Sequence, residues 1–213
     1  QTTEFVAGIN TIDAVVNGTA DIGMMADYAA VNRLGNTLDA TNLQIFSQIS
    51  GGQSALSGGL YVDPKYADDP KSLDGSAGFM YQEGTVTYYY ASKCIEYLGL
   101  DESKQNLINT DSSQTRLALI QKGGASAVYA NGSEAKYIEE AGWVQVATSQ
   151  EIGIQTGSYF LSTDKYISEN TDTLAKFLQA VDESTQYIND HLDESAEYLA
   201  DKLGLKAEDF KEN

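Results

Sequence analysis

Short apolar runs alternate along this chain with stretches of helical period, and that alternation restricts the fold to an α/β sheet with helices packed on it. Residues 20–25, 43–49, 77–81, 126–130 and 143–147 read as strands. Helical patterns follow at 27–34, 85–98, 113–122 and 133–141. Residues 4–7 read as an opening strand, with Asn10 capping a helix that carries Ile12, Val15 and Val16 and stops at Gly18. Residues 59–63 and 153–162 look extended, and a short strand is expected near Leu107. In the tail, Leu174, Leu178, Val181, Ile188 and Leu192 share one helical face. Asp193 should cap a further helix, and Gly204 should stop it.

One turn recurs. Asn17-Gly18-Thr19-Ala20-Asp21-Ile22-Gly23-Met24 closes a helix and opens a strand, and Lys122-Gly123-Gly124-Ala125-Ser126-Ala127-Val128-Tyr129 does the same later. Matching turns at matching places suggest two similar α/β lobes. Asp63-Pro64 and Asp69-Pro70 hold both prolines and are read as the passage between them. The expected division is residues 1–63 and 158–213 in lobe 1, and 64–157 in lobe 2 with its hinge segments.

Charge narrows the function. Thirty-one acidic against 13 basic side chains leave a formal charge of −18, which repels nucleic acid and anionic headgroups. No run of about 18 apolar residues is long enough to span a bilayer. Residues 1–8 lack the basic start and apolar block of a signal segment, so an exported form would have lost its targeting sequence. Cys94 is the single cysteine and falls in a helical pattern, where a small buried group is the simple reading. His191 is the single histidine and reads as a solvated surface group. Neither a Cys–His pair nor a Cys/His zinc site can be assembled from these two.

The order of motifs resembles a known family. Residues 12–23, Ile-Asp-Ala-Val-Val-Asn-Gly-Thr-Ala-Asp-Ile-Gly, are similar to a helix and strand of type II periplasmic binding proteins of ABC importers. The resemblance is to the nitrate/sulfonate/taurine and thiamine-precursor branch. Lys71-Ser72-Leu73-Asp74-Gly75 resembles the opening of that family's second lobe, and Tyr81-Gln82-Glu83-Gly84-Thr85 its strand-to-helix ligand loop. Residues 173–181 and Tyr187-Ile188-Asn189 resemble its returning helix.

The resemblance implies a two-lobed fold with two hinge crossings and no enzymatic activity or cofactor. The ligand would be a sulfonate- or nitrate-like anion, or a thiamine-precursor or amine-like compound. The partner would be the membrane permease of an ABC transporter, and the location extracytoplasmic, either periplasmic or as a cell-surface lipoprotein. Two alternatives stay open: a biosynthetic enzyme on the same fold, or a ligand-sensing effector domain. Against the family pattern, the first strand and helix of lobe 1 are absent, and the C-terminal end stops early. A monomer is expected unless a second chain completes that lobe. Ser126 stands where the family often carries an acid.

Ligands of open α/β sheets sit beyond the carboxyl ends of strands. That rule selects Met25, Ala26 and Asp27, then Ser50, Gly52 and Gln53. In the second lobe it selects Gln82, Glu83, Gly84 and Thr85, with Asp111, Ser112, Asn131 and Ser133. Tyr81 and Tyr129, near strand ends, are aromatic cleft candidates, with core packing the plainer reading for Tyr129. Tyr159 joins them from the return segment. The plainer reading of each Ser, Thr, Asp or Asn is a cap for its own helix. Arg116 either reaches the cleft or is a surface charge, the commoner fate of arginine. Tyr88, Tyr89 and Tyr90 occupy successive helix positions and cannot all face one way.

Overall fold

A computed structural model of the chain describes residues 1–5, 7–36, 42–51, 58–203 and 206–211. The chain divides into two compact units, Gln1–Ser162 and Thr163–Asn213. The first unit begins with α1 (Gly8–Val16), β1 (Gly23–Ala26), α2 (Asp27–Asn36), β2 (Leu43–Gly51) and β3 (Gly58–Val62). It continues through β4 (Phe79–Tyr81), α3 (Val86–Leu98), β5 (Leu107–Asn109), α4 (Ser113–Gln121) and β6 (Ala127–Asn131). It closes with α5 (Gly132–Glu140), β7 (Val144–Thr148), α6 (Ser149–Ile152) and β8 (Gly157–Thr163).

These strands form two sheets. The smaller has the order β1-β8-β2, and the larger β5-β4-β6-β3-β7. In the smaller sheet, alternation along β1 buries Gly23 and Met25 and exposes Met24. Met25 packs with Ile12 and Val15 of α1, Ala29 and Ala30 of α2, and Leu161 of β8. Gly8 is required where α1 crosses the strand: a Cβ there would lie 3.0 Å from the Met25 Cβ. The strand expected at residues 4–7 is not formed. Ala7 is the N-cap of α1 instead, its carbonyl accepting from the N–H groups of Asn10 and Thr11, and Val6 lies outside the described residues. The helical spacing of Ile12 and Val15 governs this segment from its first turn, one turn earlier than Asn10 suggested.

The larger sheet is covered on both faces, as its parallel core demands. Leu60, Val62, Phe79 and Tyr129 point into one cluster with Tyr90, Cys94 and Ile95 of α3. Tyr61, Met80, Val128 and Ala130 point into the other with Ile120, Ile138 and Trp143. The period-two alternation of Leu60, Tyr61 and Val62 divides one strand between two cores.

The passage between sheets differs from the sequence reading. β3 pairs antiparallel with both β6 and β7, so residues 58–62 belong to the larger sheet and the chain leaves the smaller one before Gly58. The prolines do not mark a crossing. Pro64 and Pro70 each start a short 3-10 turn, a position where the missing N–H is harmless.

The second unit is helical: α7 (Asp164–Glu169), α8 (Thr171–Asp190), α9 (Leu192–Leu203) and α10 (Glu208–Lys211). Among its described residues, Leu174, Ala196 and Ala200 are the buried apolar ones. α9 starts at Leu192, one residue before the expected cap, and Asp193 instead pairs with Lys211 at 2.7 Å. Gly204 lies outside the described residues. His191 ends α8 and stacks on Tyr187, ring centres 4.2 Å apart.

Candidate functional site

β4, β5 and β6 are parallel, so Tyr81, Asn109 and Asn131 end at one edge of the larger sheet. β3 begins and β7 ends at that same edge, because Gly58 pairs with Asn131 and Gly59 with Thr148. In the smaller sheet Ala26 pairs with Ser158. A Cβ on Gly51 would lie 3.1 Å from the Gly157 Cα. The ends of β1 and β2 therefore share an edge with the start of β8. The chain passes between these two edges twice, from Gly51 to Gly58 and from Thr148 to Gly157.

Contacts join the edges beside the second passage. The Asp27 carboxylate accepts from the Thr156 hydroxyl at 2.7 Å, the Gly157 N–H at 3.0 Å and the Tyr28 N–H at 2.7 Å. Tyr90 is hydrogen-bonded to Thr156, and burial raises its phenol well above the ordinary range. The Tyr28 ring, at the start of α2, lies 6.4 Å from both Tyr88 and Tyr89 of α3. Tyr88 meets Tyr81 edge-on at 5.5 Å and donates to Glu102 at 2.9 Å. Of the three consecutive tyrosines, Tyr90 is buried against Tyr129, 4.2 Å between ring centres, while Tyr88 and Tyr89 are half-buried.

The loop after β4 is held by its own groups. The Thr85 hydroxyl accepts from the Thr87 N–H at 3.2 Å and donates to the Gln82 carbonyl at 2.9 Å. The Gln82 N–H donates to the Thr87 hydroxyl at 2.7 Å. Glu83 is exposed, and its N–H donates to the Asn109 side chain at 3.0 Å. Gly84 has φ +73°, which favours glycine. Ser112 caps α4 by accepting from the Thr115 N–H at 3.2 Å. Hydrogen bonding from the Thr115 hydroxyl holds the Asp111 carboxyl below its usual range. Asn131 makes no side-chain cap to α5 and instead bonds the Tyr129 hydroxyl. Ser133 is half-buried in the first turn of α5.

The structure thus brings Ala26, Asp27, Ser50, Tyr81, Gln82, Glu83, Gly84, Thr85, Asp111, Ser112, Asn131 and Ser133 to the two facing edges. Met25 is a correction. Its side chain is 3% exposed in the core, because β1 alternates and Met24 takes the outward position. Tyr159, two positions from Leu161 on β8, also packs on that core. Gly52 and Gln53 lie outside the described residues.

Arg116 was the residue least legible in the sequence. It is buried, not a surface charge, and its fork grips Glu134 of α5 at 2.6 and 3.1 Å. It also donates to the Ser113 hydroxyl at 3.1 Å and to the Thr110 hydroxyl at 3.3 Å. Thr110 in turn donates to the Tyr81 carbonyl at 2.8 Å. The tyrosine contact across the edges was also missed; the only signal was three tyrosines after a glycine loop. Ser126 is wholly buried, and its hydroxyl alone among the described residues is a buried side-chain polar atom without a partner. It precedes β6, at the end opposite Asn131. An apolar groove of about 600 Å³ between α8 and α9 is lined by Tyr187, Ile188, Tyr198 and Leu199. It shares no residue with the edges.

Two sheets joined edge to edge by paired crossings define the periplasmic-binding-protein fold, and solved structures agree. The periplasmic aliphatic sulphonate binding protein SsuA from Escherichia coli superposes with a TM-score of 0.79 at 18% identity, over 97% of this chain and 69% of that one. A Candida albicans protein described as having the generic periplasmic binding protein fold gives 0.71 at 17% identity, over 97% and 67%. The desulfurization enzyme DszB gives 0.63 at 11% identity, over 94% and 70%. No curated protein sequence matches the chain. The NMT1/THI5-like family model matches residues 4–195, and the chain belongs to that family.

Proposed function

We propose that this chain is an extracytoplasmic solute-binding protein that captures a small molecule between the two strand-end edges and hands it to an ABC-importer permease. The observation that carries this reading is the pair of crossings, Gly51 to Gly58 and Thr148 to Gly157, linking the edges where the loops gather. Two bodies hinged in this way close when one ligand contacts both, because only a ligand favouring the closed form shifts the equilibrium. The first wall is formed by Ala26, Asp27 and Ser50, and the second by Gln82 to Thr85, Asp111, Ser112, Asn131 and Ser133. The smaller sheet with its helices and the larger sheet with its helices act as the lobes.

An enzyme on this fold is the alternative that DszB keeps in view. Against it, Cys94 is wholly buried, with its thiol pushed up by burial, and His191 is exposed in the second unit. The test is a thermal-shift screen of sulfonates, nitrate, bicarbonate, thiamine precursors and amines, since ligand binding to the folded state raises its melting point. Spin labels at Val31 and Lys122, both exposed, then report whether a hit shortens the distance between bodies. A hit that binds and closes the labels is expected. A compound chemically converted by the protein, or a screen without any hit, overturns the proposal.

A further inference from the structure

Arginine is scarce here: Arg33 and Arg116 are the only two. Arg33 pairs with Asp13 at 2.7 Å, which joins α2 to α1 away from the loops. Arg116 is therefore the one guanidinium beside the strand-end edges, and Glu134 faces it at 2.6 Å, the two side chains 8% and 19% exposed. A fork seated on a carboxylate has its charge cancelled where it stands. No lysine occurs in residues 24–28, 50–54, 81–88, 109–115 or 129–135. Lys136, one residue further along α5, has an interaction of its own.

We infer that the Arg116–Glu134 pair sets the charge class of the ligand: it aligns the loops of the larger sheet and neutralises their only guanidinium, so the cleft takes a molecule without net negative charge. This rests on the solute-binding reading above. The alignment follows from the contacts. One guanidinium holds Glu134 at the start of α5, Ser113 at the start of α4 and, through Thr110, the carbonyl of Tyr81 at the end of β4.

The charge argument follows from desolvation. An anion entering the cleft gives up its water and needs a compensating cation or donors. The cation present is already engaged, and the α3 and α4 starts carry their own hydroxyl caps. α5, whose Asn131 makes no side-chain cap, carries the Glu134 carboxylate in its first turn. Asp27, Glu83 and Asp111 stand at the same edges. A flat cation instead finds the exposed Glu83 and Asp111 carboxylates and the Tyr81 ring, a surface suited to cation–π contact.

The experiment compares two probes of similar shape, benzyltrimethylammonium and benzenesulfonate, by calorimetry and thermal shift on the whole chain. The parent is expected to prefer the cation at least tenfold. Glu134→Gln leaves Arg116 uncancelled and should move the preference at least tenfold toward benzenesulfonate, with an affinity that falls as salt is added. Arg116→Gln leaves Glu134 uncancelled and should move it the other way. A pair that only supports the fold would weaken both probes alike in both variants. If Glu134→Gln melts too early for calorimetry, a larger melting-point rise with benzenesulfonate than the parent shows is the equivalent readout. The inference is wrong if neither variant changes the ratio of the two affinities. It is equally wrong if the parent binds benzenesulfonate tightly and closes its label pair, a result that would leave the solute-binding reading standing.

Discussion

Asp27 opens a helix, and a carboxylate there serves either its own chain or a ligand. The structure shows the first use: both oxygens accept hydrogen bonds, two of them from the return crossing. Asp27→Ala removes these acceptors together, and a loss of about 2–3 kcal/mol in urea unfolding is expected, the scale of hydrogen bonds to a charged group. Thr85→Ala removes a cap and should lower stability by about 1 kcal/mol. If it also weakens the ligand found by screening, the hydroxyl serves both roles. Cys94 should resist a thiol reagent until the protein unfolds, because burial keeps the thiol protonated; labelling at the native rate of a free peptide would contradict the packing. At this scale the sequence was legible where geometry is local, as with the caps at Thr85 and Ser112. It was not legible for Arg116, since the partner that buries it lies 18 positions away on another helix.

Elements were read better than their partners. The strands at β4, β6 and β7 and the helices after them came from apolar period and glycine breaks, both local signals. The assignment of residues 58–62 to a sheet depends on which neighbours accept β3, and no local pattern encodes that. Its two glycines hold the physical reason in retrospect. A Cβ on Gly59 would collide with the Ala147 carbonyl, and one on Gly58 with the Ala130 carbonyl, so this strand is built for close approach on both sides. Gly59→Ala should cost more than about 2 kcal/mol, because backbone and not a flexible side chain must move. A melting point within a degree of the parent would refute the pairing of β3 with β7. The missed helix start at Gly8 has a similar cause: burial of Ile12 and Val15 decides it, and no local pattern at residues 4–7 encodes that burial.

For the molecule as a whole, a formal charge of −18 implies self-repulsion that salt relieves. Screening lengths shrink to about 8 Å at physiological ionic strength, so raising salt from near zero should increase the melting point by several degrees. A melting point independent of salt would mean that the acids are locally compensated. The pairing of Gly59 with Thr148 has a different consequence. The larger body enters and leaves through adjacent strands, so residues 58–154 have their ends side by side, as in a cassette inserted into a host. Loop-closure entropy is small for ends already held together, and Ile152 and Ile154 complete that cassette's own core. Residues 58–154 expressed alone should fold, visible as dispersed amide resonances and a cooperative melt. The natural cut points for exchanging ligand specificity between relatives then lie at the two crossings, with the host's three-stranded sheet left untouched.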